Sequence, residues 1–86
     1  MKNCSTIMAI LQENRIETSV KVQAVLTKYG CHIRTRLGLN DSGIEACTNS
    51  GLILLQLCAD NLLATEIEKE LSSIDSVKVK YMSLDF

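Results

Sequence analysis

The chain contains no proline and no tryptophan, a single histidine (His32), and only Tyr29, Tyr81 and Phe86 as aromatics. Without proline, nothing in the sequence breaks a strand or helix from within. With rings this scarce, the sequence offers no platform for the base stacking that RNA-recognition sheets carry on their central strands. One histidine leaves no basis for arguing a nucleophile, a base and an orienting group together, so no enzyme chemistry is expected. A net charge of −1 gives no bulk attraction to nucleic acid or to an anionic membrane. No apolar run approaches the ~20 residues of a membrane span. Lys2 leads into a stretch broken by Asn3, Ser5, Thr6, Gln12 and Glu13, a poor signal peptide, and the expected address is cytoplasmic. Neither a P-loop nor a dinucleotide-binding glycine fingerprint occurs.

The cysteines are Cys4, Cys31, Cys47 and Cys58, with no C-x-x-C pair among them. Zinc ribbons, iron–sulfur sites and copper carriers need such close pairs, so no metal or other cofactor is expected. In a cytoplasmic chain the cysteines are read as small buried hydrophobes rather than a disulfide framework. Cys47 stands apart because it lies in a polar turn. It and His32 are the weak candidates for metal or redox chemistry.

What the chain does have is one sentence written twice: strand, amphipathic helix, strand. Cys4–Leu11 (CSTIMAIL) and Gly51–Ala59 (GLILLQLCA) are apolar on both faces, the mark of central strands. Cys31–Gly38 (CHIRTRLG) and Ser76–Ser83 (SVKVKYMS) alternate, the mark of strands with one polar face. In the former, Cys31, Ile33 and Leu37 are expected to point inward and His32, Arg34 and Arg36 outward. In the latter, Val77, Val79 and Tyr81 point inward and Lys78 and Lys80 outward. Val22, Val25, Leu26 and Tyr29 form a helical stripe over a helix expected from Thr18 to Tyr29. Thr18 or Ser19 is its expected cap and Gly30 its left-handed stop. A second helix, capped by Asp60 or Asn61, carries the stripe Leu63, Ile67, Leu71 and Ile74. Leu39–Ser50 reads as a long polar turn.

This tandem pattern predicts one α+β domain over residues 1–86. It is a ferredoxin-like βαββαβ sandwich, its four-stranded antiparallel sheet in the order 4-1-3-2 with two helices on one face. The other face is left apolar in the middle, through Leu52 and Leu54 or their neighbours Ile53, Leu55 and Leu57. Such a patch predicts a homo-oligomer, a dimer or tetramer closed through this face. Arg34 and Arg36, two residues apart on a strand and so about 7 Å apart, have two readings: edge-strand charges that keep the edge soluble and unpaired, or a shallow site for an anion or phosphate.

Asn14–Ile33 (NRIETSVKVQAVLTKYGCHI) resembles the opening of an ACT domain. YGCHIRTRLGL, CTNSGLILLQL and VKVKYMSL resemble the small ACT-like iron-only hydrogenase system regulators, over nearly the whole chain from Thr6 to Leu84. The resemblance implies a non-catalytic, oligomeric, ligand-sensing or assembly-regulating protein; composition and charge give no reason to expect nucleic acid or membrane as a partner. ACT modules commonly bind amino acids near the first strand–helix turn, at positions matched here by Asn14, Arg15 and the residues up to Ser19. With Arg34 and Arg36, these are the candidate ligand-binding residues for a small anion or amino acid. The chain departs from the pattern at Ile16-Glu17, where many ACT domains carry Pro-Gly, and Glu17 is expected to repel a carboxylate. The alternative reading is a metal- or redox-responsive protein using Cys47 and nearby thiols.

Overall fold

The computed structural model describes residues 4–40 and 50–84. Its elements are β1 (Thr6–Gln12), α1 (Arg15–Lys28), a single 3-10 turn (Gly30–His32), β2 (Ile33–Asn40), β3 (Gly51–Leu57), α2 (Asn61–Ser72) and β4 (Val77–Ser83). The sheet order is β2-β3-β1-β4, antiparallel throughout, which is the expected 4-1-3-2 arrangement viewed from the other edge. The two strands apolar on both faces are central because only they can be covered on both sides by neighbours.

One face of the sheet and both helices build a single core. Met8 and Ile10 of β1, Ile53, Leu55 and Leu57 of β3, and Val77 and Val79 of β4 meet Val22 and Leu26 of α1 and Ile67 and Leu71 of α2. These are the stripes that the helical and strand periods select. Tyr29 ties the helices together: its hydroxyl donates to the Glu70 carboxylate, with Glu66 Oε2 3.0 Å away. Lys28 Nζ lies 3.1 Å from Glu70 on the exposed side. The hydrogen bond to Glu70, then burial, push the Tyr29 phenol well above the ordinary tyrosine range. The folded chain therefore holds that proton longer than the unfolded one. The stabilisation is complete below the usual tyrosine pKa and is lost as pH rises toward the folded value. In a spectrophotometric titration of native protein, Tyr29 should ionise only well above the ordinary tyrosine range, and Glu70→Gln should remove most of that delay.

Several local expectations are overturned. Helix α1 begins at Arg15, not Thr18. Thr18 and Ser19 lie inside its first turns and do not cap it. Their hydroxyls donate back to the Asn14 and Arg15 carbonyls at 3.2 and 2.5 Å. The residue before the helix is Asn14, in the left-handed region at φ 52°. Gly30 is not left-handed either: α1 ends at Tyr29 with φ −103° and the chain passes into the 3-10 turn. Ser76 is the second left-handed residue, at φ 67°. It faces the first, with Glu13 N–H donating to the Ser76 carbonyl at 2.8 Å and Asn14 Nδ2 to Ser76 Oγ at 3.2 Å. Helix α2 follows the sequence reading, with Asp60 Oδ1 accepting from Leu63 N–H at 2.8 Å.

The most consequential difference lies in β2. Ile33 pairs with Leu57, but the next pair is Thr35 with Gln56, so Arg34 is the extra residue of a β-bulge. An extra residue inverts the parity of everything after it. Arg36 pairs with Leu55 and Gly38 with Ile53, on the helix-covered face. Leu37 and Leu39 pair with Leu54 and Leu52, on the open face. The expected inward Leu37 and outward Arg36 are therefore exchanged. Cys31 and His32 belong to the 3-10 turn rather than to a strand face, and both are exposed.

The cysteine reading is also corrected. Cys4, just before β1, is joined to Cys58, just after β3, in a disulfide. The two strands are hydrogen-bonded neighbours, with Thr6 opposite Leu57, and this brings together residues 54 apart in sequence. Cys31 is a free, exposed thiol rather than a buried hydrophobe.

Candidate functional site

The bulge determines which candidate residues meet. By turning Arg36 and Gly38 toward the helix side, it places them across from the first two turns of α1. There a cleft of about 180 Å³ is lined by Gln12, Arg15, Ser19, Gln23, Arg36 and Gly38, with the first residues of β3 at its base. Three of the expected ligand-binding residues, Arg15, Ser19 and Arg36, thus share one cleft.

The other two do not. Arg34 is exposed at the bulge. Asn14 lies on the opposite flank of α1, in a second cleft of about 130 Å³ with Glu17, Lys21, Asp75 and Ser76. This relocates Glu17 as well. Its carboxylate faces the second cleft and not the one holding the two arginines, so the expected repulsion of an anion there does not arise.

The arginine cleft is one-sided in charge. Among the described residues, two guanidiniums, two amide side chains and one hydroxyl line it, and no carboxylate does. Arg15 Nε is buried and has no hydrogen-bond partner. Leaving such a donor unpaired out of water costs about 1–3 kcal/mol, so it is uncommon without a purpose. Among the described residues neither arginine is ion-paired; the ion pair there is Lys28 with Glu70. The Gln12 amide oxygen lies 3.3 Å from the Thr18 hydroxyl and shares that proton with the Asn14 carbonyl at 3.2 Å.

Gln12, Gln23 and Gly38 were missed as site residues. Gln12 lies one residue beyond the strand expected over Cys4–Leu11, and Gly38 faces the cleft only through the parity change at Arg34. Of the weak metal candidates, Cys47 lies outside the described residues and His32 is exposed in the 3-10 turn. Among the described residues, no three histidine, cysteine or acidic side chains gather as a metal site would require. No described helix is long and apolar enough to cross a membrane.

The opposite face of the sheet is the second feature of note. Ile7, Ala9 and Leu11 of β1, Leu52 and Leu54 of β3, and Leu37 and Leu39 of β2 share it, since directly paired residues lie on one side. Lys78, Lys80 and Met82 of β4 complete it. Leu11, Leu37, Leu39 and Met82 remain 40%, 50%, 43% and 60% exposed.

Neither the protein families nor the curated proteins searched contain a match to the chain. Among solved structures it is similar to the uncharacterized protein TM1266 from Thermotoga maritima, at 26% identity and a TM-score of 0.82. The match covers 93% of this chain and 95% of that one, so the whole α+β architecture is shared.

Proposed function

We propose that this chain is a non-catalytic, self-associating regulatory module of the ACT-like kind that senses a small ligand, as the iron-only hydrogenase system regulators it resembles are expected to do. The observation that carries the reading is the apolar open sheet face. Ile7 and leucines of three strands lie there with partial exposure, bordered by Thr35 and Gln56 at one end and by lysines along the β4 edge. Monomers rarely leave so continuous a patch bare.

A second copy is the occupant. Four strands of about seven residues span roughly 19 by 23 Å. Two such faces pressed together bury about 900 Å² in projection, below the ~1,200 Å² of stable specific interfaces and in the range of weak, transient ones. Association should therefore be reversible and depend on concentration. Light scattering from low to high micromolar should show a shift from monomer to dimer or larger. Leu54→Asp, at the centre of the patch, should hold the protein monomeric with unchanged circular dichroism. A wild-type monomer at every concentration would end this reading.

The Cys4–Cys58 bond favours a second reading, a redox-responsive protein. It relies on a different cysteine pair from the Cys47 chemistry first expected.

A further inference from the structure

We propose that the cleft between α1 and β2 binds a small, doubly charged oxyanion, a dicarboxylate or a phosphate monoester, with Arg15 and Arg36 as its two guanidinium ligands. The inference rests on the ligand-sensing reading and specifies the chemistry of that ligand. Guanidinium groups match carboxylate and phosphate oxygens geometrically, and two of them directed at one cleft favour a dianion. Arg15 lines the cleft, and its buried Nε has no hydrogen-bond partner among the described residues, so the guanidinium is not committed elsewhere through that atom. The Gln12 amide and the Gln23 side chain add neutral polar groups at the same wall.

An amino acid fits less well. Its ammonium would find no carboxylate among the described residues of this cleft and would be repelled by both guanidiniums. The acidic residues nearest in sequence to Arg15 give no help. Glu17 lines the cleft on the other flank of α1.

Space is available. The volume of about 180 Å³ far exceeds the ~10–15 Å³ needed by one water. A Cβ added at Gly38 would meet no described atom within 4 Å, so the wall of the cleft at β2 is open rather than packed.

The test is calorimetric titration of the full chain with succinate, inorganic phosphate, glycerol phosphate and alanine, at low and high salt. Saturable binding of succinate or of the phosphates, weakened at high salt, is the expected result. Which of the two binds more tightly identifies the source of the anion. Arg15→Gln and Arg36→Gln should each weaken it at least tenfold. Gly38→Val keeps both arginines and should abolish it by filling the space at that wall, which guards against a general folding defect in the arginine variants. The proposal is overturned if alanine binds as tightly as succinate, if no anion binds, or if binding survives both arginine substitutions. Light scattering on the same samples separates the two ideas. Lost anion binding with intact self-association rejects the ligand class alone, whereas a strictly monomeric wild type rejects the module.

Discussion

Reduction of the Cys4–Cys58 bond should remove about 4 kcal/mol of stability, the chain-entropy value for a loop of this length. A chain of 86 residues has roughly 4–13 kcal/mol in total, so the loss is a third or more of what holds it folded. At about 4–8 °C per kcal/mol for a domain of this size, the melting temperature should fall by roughly 15–30 °C. Chemical denaturation with and without a dithiol reductant measures this. The Cys4→Ser, Cys58→Ser double variant should match the reduced wild type and ignore the reductant. An unchanged midpoint would mean that the bond is not formed in solution. Alkylation adds a second check: in native oxidised protein Cys31 should react, while Cys4 and Cys58 should react only after reduction. In a reducing cytoplasm the same pair would be held as thiols, and the domain would operate near the edge of its stability.

The second large effect is in the core. Leu55→Ala should cost about 2–5 kcal/mol, because Leu55 is 1% exposed and packed between both helices and the sheet. Its neighbour Leu54 points the other way, onto the open face. Leu54→Ala should leave the monomer's stability nearly intact and instead raise the concentration needed for association. Two adjacent residues of the same type thus separate folding from assembly. Urea denaturation together with sedimentation measures both. Equal destabilisation by the two variants would mean that β3 is not sandwiched as described.

The fold was legible in the sequence because it is built from periodicities. The apolar runs CSTIMAIL and GLILLQLCA demand cover on both sides, and the stripes Val22–Leu26 and Ile67–Leu71 demand a sheet beneath them. These demands leave few arrangements. What was illegible depends on single backbone events with no periodic signature. Nothing in IRTRLGL announces that Arg34 is an extra residue, and straight alternation assigns Arg36 to the wrong side. Asn14 and Ser76 take left-handed conformations because each bonds to a residue about sixty positions away. The disulfide likewise joins positions whose proximity exists only after β1 and β3 have paired. Of the candidate site, the residue types were readable and their grouping was not. Arg15, Ser19 and Arg36 were named, but only the bulge brings Arg36 to the other two.

That bulge makes the placement of both surfaces depend on leaving one residue unpaired. Draw Arg34 into the ladder opposite Gln56 and the rest of β2 slips by one: the guanidinium of residue 36 swings out among the exposed leucines, while Leu37 and Leu39 turn beneath α1. Topology and length would not alter, yet the molecule would be turned inside out along one edge, with Arg36 withdrawn from the cleft and a cation set into the apolar face.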